Sequence, residues 1–239
     1  MVVFTGVFGK PDVFLEPRVP LDDVEAVCYT DLDFVGESAY RMIQVDLASL
    51  SPPKRNRRVK IHWPEIFDCF DYSLYLDSNV ELLVDPRELT QFLEPGSDIA
   101  VFRHPDRDCA YREGRVCVKM GLADRGVMHR QLTAYRRSRF PPGFGLWACT
   151  VVLRNHTPRM ADFGRRWWHE VEHHSHRDQV SFPRVVWETE ARVSEFPGSL
   201  RDNELISWRP WDSDAGWFRV RSQEGATIQA KEVRTRRKL

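Results

Sequence analysis

The chain has 239 residues, 42% of them hydrophobic and 29% charged, which indicates one folded domain of ordinary to large size or two small ones. Basic and acidic side chains number 35 each, so the overall charge gives no general attraction to nucleic acids or membranes. We find no signal-peptide leader, no apolar run near the roughly 18 residues of a membrane helix, and no C-x-x-C pair among five scattered cysteines. These absences predict a cytoplasmic protein without a membrane segment.

Apolar segments alternate with helical patterns in the first half of the chain. The segments "MVVFTGVFG", "VEAVCYTD", "YSLYLDSNVELL" and "SDIAVFRHP" are typical of buried strands. The basic stretch "PPKRNRRVK" favours a solvated loop, and "PEIFDCF" after it favours a short helix. In "DPRELTQFL", Asp85 and Pro86 have the chemistry of a helix start.

The second half continues the alternation. Helical stretches within residues 114–139 lead to the loop "FPPGFG" and to a strong strand, "LWACTVVLRNH". A helix is predicted for "PRMADFGRRWWHEVEHHS" and a strand for "RVVWETEARV". Strands separated by helices indicate an α/β fold with a mainly parallel sheet. Ligands of such sheets bind outside the carboxyl ends of the strands, where we expect Thr5, Asp31, Asp77 and His104.

The last residues are basic, as "KEVRTRRKL" shows. We predict a domain over residues 1–225 and a flexible, solvated tail over residues 226–239. A tail of this charge suits nucleic acid, an acidic protein surface or an anionic polysaccharide equally well. The sequence therefore leaves the partner of the tail open.

A zinc-peptidase pattern occurs in the helix before residue 174. His169, Glu170 and His173 have the H-E-x-x-H spacing, in which two histidines on one helical face bind zinc and the glutamate acts as general base. A catalytic zinc needs a third protein ligand, and Gln179 stands where the extended pattern has histidine. Glu195 is a distant candidate for that ligand. A zinc metallopeptidase therefore remains one hypothesis, beside a surface helix with exposed histidines.

An aspartate interrupts the apolar run "LYLDSNVELL". A carboxylate in such a run is costly to bury unless it is paired, and at a strand end it can hold a hard cation. Asp77 and Asn79 are the candidate ligands for Mn²⁺ or Mg²⁺, which would share its coordination with substrate phosphates. A turn motif explains an Asp-x-Asn pattern about as well.

Three blocks of the sequence resemble a known family: Asp71–Asn79, Asp98–Glu113 and Trp167–Phe182. They resemble a family of glycosyltransferases whose plant members are linked to turgor regulation and seed mucilage. In that family a Trp-Trp-x-Glu helix leads to Arg-Asp-Gln-Leu-Ser-Phe, and here "WWHE" precedes "RDQVSF". The family is similar in plan to the retaining, family 8 type of GT-A enzymes. The resemblance implies a single GT-A-like, Rossmann-like domain with a mixed, mainly parallel sheet flanked by helices, and it makes the zinc pattern incidental.

The resemblance also implies an activity and its residues. The expected reaction transfers a sugar from a nucleotide sugar, with a UDP-sugar favoured, to a glycan, protein or nucleic-acid acceptor, with retention of configuration. Asp178 and Gln179 are expected to face the sugar as catalytic residues. The expected donor-binding residues are Thr5, Gly6, Tyr29, Thr30, Asp31, Arg58, Lys60, Asp77, Ser78 and Asn79. The expected sugar or acceptor pocket comprises His104, Arg107, Glu113, Gly145, Leu146 and Trp147.

The chain departs from the family pattern at several positions. Ser78 replaces a glycine, and Ala148 stands where the family has glutamate in Gly-Leu-x-Glu. The change at Ser78 is mild, but Ala148, Asn79 in place of an acid, and the basic tail leave a third hypothesis open, a non-catalytic relative that binds sugar or nucleic acid.

Overall fold

The computed structural model describes residues 1–9, 14–209, 219–221 and 227–228. The strands are β1 Val2–Val7, β2 Glu25–Thr30, β3 Asp33–Val35, β4 Arg41–Gln44, β5 Tyr72–Leu76, β6 Val80–Leu82, β7 Ile99–Arg103, β8 Trp147–Asn155, β9 Val193–Glu195, β10 Ile206–Trp208, β11 Arg219–Arg221 and β12 Thr227–Ile228. The helices are α1 Pro52–Ile61, α2 Pro64–Cys69, α3 Ala110–Lys119, α4 Arg125–Arg137, α5 Pro158–His173 and α6 Asp178–Thr189, with a 3-10 helix at Pro86–Phe92.

A seven-stranded sheet in the order β4-β2-β1-β5-β8-β7-β9 forms the centre of the molecule. Neighbouring strands are parallel throughout, except that β8 runs antiparallel to both β5 and β7. A two-stranded sheet pairs β10 with β6, and a three-stranded sheet has the order β12-β11-β3. The prediction of an α/β fold with a mixed, mainly parallel sheet flanked by helices is confirmed.

Both faces of the central sheet are covered, which explains why its strands read as continuous apolar runs. On one face, Phe4 of β1 belongs to a core that includes Ile61 of α1 and Trp167 of α5. On the other face, Val3 belongs to a core that includes Phe196 and Ile206. Successive side chains of a strand point to opposite faces, so β1 contributes to both cores.

Two segments differ from the sequence-based predictions. The basic stretch at residues 52–60, predicted as a loop, forms helix α1, which starts at two prolines and buries Val59, Lys60 and Ile61. Prolines suit the first helical turn, because N–H groups in that turn have no acceptor within the helix and proline lacks this group. The segment at residues 184–193, predicted as a strand, continues α6 to Thr189, and only β9 after it is a strand. Val185 and Val186 are buried within the helix, and this tertiary packing outweighs their strand propensity.

The sheet brings three of the predicted strand-end residues to one edge. Asp31 follows β2, Asp77 follows β5 and His104 follows β7, and these three strands share one direction. Thr5 does not follow this pattern, because β1 continues to Val7 and buries Thr5 inside the strand. The carboxyl edge of the sheet is therefore the place to look for a site.

Two further predictions concern the ends and the surface of the domain. The predicted basic tail at residues 226–239 lies outside the described residues, apart from the backbone of β12, so the boundary at 225 stays a prediction. Within the described part of the chain, no helix combines the length and apolar character needed to cross a bilayer.

Candidate active site

A cavity of about 220 Å³ opens at the carboxyl edge of the sheet, between α1, α3 and the start of α6. Five cations and four carboxylates line it: Arg57, Lys60, Arg107, Arg177, Arg201, Asp77, Asp106, Glu113 and Asp178. His104, Gln179, Ala148 and Trp208 also contribute to its wall. A polar cavity of this kind at the end of a parallel sheet is the usual position of a ligand site in α/β proteins.

Lys60 holds the two central carboxylates of this cavity together. Its ammonium nitrogen lies 2.6 Å from Oδ2 of Asp178 and 3.7 Å from Oδ1 of Asp77. The Lys60 and Asp178 side chains are 1% and 2% exposed, so the ion pair is shielded from water. Nε of Arg57 approaches the other Asp178 oxygen at 3.0 Å. Asp77 and Asp178, which are 101 positions apart in the printed sequence, thus share one cavity and one cation.

The charges around Asp178 fix its ionisation. Burial raises the pKa of this carboxyl, but the charges of Arg57 and Lys60 outweigh burial and hold the pKa well below its usual range. Asp178 is the first residue of α6, where the helix dipole also favours a negative charge. The carboxylate is therefore ionised at neutral pH.

Asp77 is oriented by its own strand. The hydroxyl of Tyr75 donates to Oδ1 of Asp77 at 2.9 Å, and the Asn56 amide nitrogen donates to the same hydroxyl at 3.1 Å. Asn56 also donates to the carbonyl of Gly6 at 2.6 Å, which ties α1 to the exit of β1. Gly6 therefore supports the site through its backbone.

The second half of the cavity wall is a cluster of His104, Arg107 and Glu113. The Glu113 side chain is 4% exposed and accepts from Nε of Arg107, and Nε2 of His104 lies 3.8 Å from the same carboxylate. Nδ1 of His104 accepts from the backbone N–H groups of Asp106 and Arg107 at 3.1 and 3.2 Å. Burial lowers the pKa of His104 despite the neighbouring Glu113. Nη2 of Arg107 lies 3.2 Å from Nε2 of His104, and since a guanidinium can only donate, both ring nitrogens face N–H donors.

The structure brings seven of the predicted site residues to this cavity: Lys60, Asp77, His104, Arg107, Glu113, Asp178 and Gln179. The predicted residues that do not line it are Thr5, Gly6, Tyr29, Thr30, Asp31, Arg58, Ser78, Asn79, Gly145, Leu146 and Trp147. Of the second set, the carbonyl of Leu146 accepts from the His104 N–H at 3.0 Å, and Trp147 donates to Glu195 at 2.8 Å. Leu146 therefore positions the backbone of His104, and Trp147 is bound to a residue outside the cavity.

Asp31 lines a second hollow, of about 640 Å³, beyond the other side of α1. Its carboxylate accepts from the N–H of Gly9 at 2.9 Å and forms an ion pair with Arg55. Asp33, Gln44 and Asp46 also line this hollow. Arg55 faces the second hollow while Arg57 faces the first, so α1 borders both.

Sequence reasoning missed Arg57 and Arg177 and selected Arg58 instead. The guanidinium of Arg58 lies 5.2 Å from the centre of the Trp168 ring, away from the cavity. Arg57 and Lys60 are three residues apart and lie on the same face of α1 because a helix turns once in 3.6 residues. Recognising residues 52–61 as a helix would have paired Lys60 with Arg57.

The predicted metal ligands Asp77 and Asn79 do not fit a divalent cation in the described part of the chain. Asn79 is fully buried and does not line the cavity; its amide nitrogen donates to the carbonyl of Arg209 at 2.6 Å, and its Oδ1 has no hydrogen-bond partner among the described residues. Oδ1 of Asp77 already accepts from Tyr75 and has the Lys60 ammonium 3.7 Å away, which would repel a metal ion. Among the described residues, no three His, Cys, Asp or Glu side chains cluster as a metal site would require. A turn, the alternative explanation of this motif, agrees with these contacts.

The H-E-x-x-H pattern is also accounted for by contacts within the fold. The rings of His169 and His173 are exposed and stack with their centres 4.2 Å apart. Glu170 between them accepts from the hydroxyl of Tyr135 at 2.6 Å, and therefore faces α4 instead of the histidines. Glu195, the distant candidate ligand, pairs with Arg103 and Trp147. Nothing in the described residues completes a zinc site here.

The tryptophans and the glutamate of "WWHE" have a role in positioning the segment that leads into α6. Trp167 is fully buried, and its indole N–H donates to the carbonyl of Asp178 at 3.3 Å. Gln131 donates to the Tyr135 hydroxyl that holds Glu170, and it accepts from the N–H of Ser175 at 3.3 Å. The motif therefore fixes the chain on both sides of Arg177.

We expect the double variant His169→Ala/His173→Ala to fold normally and to lose no bound metal. Both side chains are exposed, so the free energy of unfolding is expected to change by less than about 1 kcal/mol. Urea unfolding and elemental analysis of the purified protein measure the two quantities. One equivalent of zinc in the parent protein that disappears from the variant would instead establish the zinc hypothesis.

The fold and the cavity define an α/β domain with a charged site at the carboxyl edge of its central sheet. The family profile described as "TOD1/MUCI70, glycosyltransferase-like domain" matches residues 22–201. This match covers most of the chain, and the chain belongs to that family. The resemblance inferred from the sequence is thereby confirmed, without its retaining, family 8 detail.

Among curated proteins, the chain is similar to "Probable hexosyltransferase MUCI70" of Arabidopsis thaliana. The two are 30% identical over 182 residues, which is 70% of this chain and 31% of the relative. The chain thus spans about a third of that protein's length.

Two solved structures also match at low identity. The apo structure of the bifunctional glycosyltransferase WbbM matches with 10% identity and a TM-score of 0.47, covering 82% of this chain and 38% of the other. The apo form of mouse xyloside xylosyltransferase 1 matches with 12% identity and a TM-score of 0.41, covering 82% and 84%.

Proposed function

We propose that this protein is a glycosyltransferase that moves a sugar from a nucleotide diphosphate sugar, with UDP favoured as the nucleotide, to an acceptor hydroxyl. The observation that carries the proposal is the shared cavity of Asp77 and Asp178, held together by Lys60. Glycosyl transfer needs positive charge at the leaving diphosphate and a carboxylate beside the positively charged sugar of the transition state. Lys60 and Asp178 supply these two charges within one enclosed space.

The two hollows beside α1 suggest how a donor lies. The nucleoside occupies the hollow of Asp31, where a carboxylate can accept from ribose hydroxyls. The diphosphate lies at Arg57 and Lys60 on α1, and the sugar extends past Asp178 and Gln179 towards His104. Arg55 lines the second hollow, and Arg57 and Lys60 follow it on α1 in the first, which is the order of nucleoside and diphosphate.

The reaction follows from these positions. The bond between the anomeric carbon and the β-phosphate oxygen breaks, and the nucleoside diphosphate leaves with the electron pair. Asp178 stabilises the positive charge that develops on the sugar ring, because its pKa keeps it ionised. The acceptor oxygen bonds to the same face of the sugar and passes its proton to the leaving phosphate oxygen, so the configuration is retained.

The acceptor side of the cavity is open to a hydroxyl-bearing molecule of unassigned class, whether glycan, protein or nucleic acid. Ala148 lines the cavity at the position where the family has glutamate, so the acceptor meets a methyl group instead of a carboxylate there. The polar groups left to orient a hydroxyl on this side are His104, Glu113 and Arg107.

Thermal denaturation with a panel of UDP-, GDP- and ADP-sugars tests the proposal. At a ligand concentration of about 100 times Kd, binding contributes about 2.7 kcal/mol, which raises Tm by about 5–10 °C for a chain of this size. The matching nucleosides, which lack the diphosphate, serve as controls and are expected to give a much smaller shift. If no nucleotide sugar raises Tm, with or without Mn²⁺, the chain is a non-catalytic relative or acts on another substrate.

A further inference from the structure

Four carboxylates line the cavity, and each already has a cationic partner. Asp178 pairs with Lys60 and Arg57, Asp77 with Lys60, Glu113 with Arg107, and Asp106 with Arg201 at 2.7 Å. A divalent metal ion would have to compete with these cations for every carboxylate in the wall. Mg²⁺ and Mn²⁺ prefer carboxylate oxygens that are free to coordinate.

Arg177 differs from the other cations of the cavity, each of which forms an ion pair with a carboxylate. Within the part of the chain that the structure describes, it is the cavity-lining cation for which no carboxylate lies within 4.0 Å. Its Nε is buried and has no hydrogen-bond partner among those residues. Leaving a buried guanidinium donor unpaired is costly, and a ligand in the cavity that accepts from it would remove this cost.

The position of Arg177 is fixed by the fold. It is the N-cap residue of α6, directly before Asp178, and its backbone N–H donates to the hydroxyl of Ser175 at 3.2 Å. The side chain of Arg57, which is 15% exposed, pairs with Asp178, and the Lys60 ammonium lies within 4 Å of both aspartates. All three cations line the cavity and lower the pKa of Asp178, and two carboxylates neutralise only part of their charge.

We propose that Arg57, Lys60 and Arg177 together bind and neutralise the donor diphosphate, and that they take the place of a divalent cation in this protein. The proposal rests on the proposed function and assigns Arg177 a direct contact with the leaving group. Guanidinium groups form paired, charge-assisted hydrogen bonds to phosphate oxygens, and such bonds stabilise a leaving phosphate as a metal ion does. Donor binding is then independent of added metal.

Inorganic pyrophosphate is the probe, because it carries the diphosphate without any assumption about nucleotide or sugar. Titration calorimetry of the full chain in EDTA is expected to show binding, and addition of Mg²⁺ or Mn²⁺ is expected to tighten it by less than about threefold. Arg177→Gln is expected to weaken binding in EDTA by at least about tenfold, since one charge-assisted contact contributes about 1.5–3 kcal/mol. Arg177→Lys is expected to recover part of the affinity. The matched control is Arg112→Gln, because Arg112 is an exposed arginine on α3 outside the cavity wall. This variant is expected to bind pyrophosphate like the parent.

Failure of this inference is distinguishable from failure of the proposed function. Binding of pyrophosphate only in the presence of Mg²⁺ or Mn²⁺, or unchanged affinity of Arg177→Gln, would overturn the inference while nucleotide sugars still raise Tm. If neither pyrophosphate nor any nucleotide sugar binds under any condition, both proposals are wrong. Arg177 is only half buried, so its variants are expected to fold, and circular dichroism checks that they do.

Discussion

Replacing Asp178 with Asn is expected to lower the turnover number by about 10²–10³-fold, the usual effect of removing one group that stabilises charge in a transition state. The substitution keeps the shape of the side chain and removes its negative charge. Asp178 pairs with Arg57 and Lys60, and removing its negative charge takes no cation away from the diphosphate, so donor affinity is expected not to fall. The defect should therefore appear in kcat and not in KM.

The measurement is a steady-state assay with whichever donor stabilises the protein, together with calorimetric donor binding. Asp162→Asn is the matched control, because Asp162 also pairs with arginines but lies on the surface of α5. Its kcat is expected to equal that of the parent. A fully active Asp178→Asn enzyme would remove this carboxylate from the mechanism and leave Gln179 as the remaining predicted catalytic residue on α6.

Replacing Lys60 with Met is expected to cost about 3–5 kcal/mol of unfolding free energy, the range measured when one partner of a buried ion pair is removed. The side chain of Lys60 is 1% exposed, and its loss leaves Asp178 with Arg57 as its ion-pair partner and Asp77 with none among the described residues. Methionine fills a similar volume, so the cost is electrostatic and not a cavity effect. Urea unfolding measures it.

Lys54→Met provides the control on the same helix. Lys54 donates only to the carbonyl of Glu172, in an exposed contact, and its removal is expected to change stability by less than about 0.5 kcal/mol. A Lys60→Met protein as stable as this control would show that the ion pair with Asp178 does not hold in solution.

The pH dependence of the Lys60→Met effect has a definite sign. In the parent the folded-state pKa of Asp178 lies below its unfolded value, so this group stabilises the fold above about pH 4 and loses that effect only as the pH falls through the folded pKa. Without Lys60, burial raises the pKa of Asp178, and protonation relieves the unpaired charge at a higher pH. The stability difference between the two proteins is therefore expected to narrow as the pH is lowered from neutrality towards about 3.

The sequence by itself determined the fold class and the positions of several polar residues. Continuous apolar strands separated by helices are specific to a covered, mainly parallel sheet, and the sheet has that form. Asp31, Asp77 and His104 were found because a polar residue directly after such a strand must lie at the carboxyl edge. Asp178 and Gln179 came from the family resemblance alone, since a helix-start aspartate has no periodic signal of its own.

Only the tertiary structure decided which charges meet. The choice between Arg57 and Arg58 depends on the rotational phase of α1, and the orientation of Glu170 depends on Tyr135, which is 35 positions away. The same holds for Asn79, which is buried beside the backbone of Arg209 and does not line the cavity that Asp77 shares with Lys60. Hydrophobic patterns fix the elements because burial is a property of each segment, whereas an ion pair or a ligand site depends on the distance between segments that the pattern does not encode.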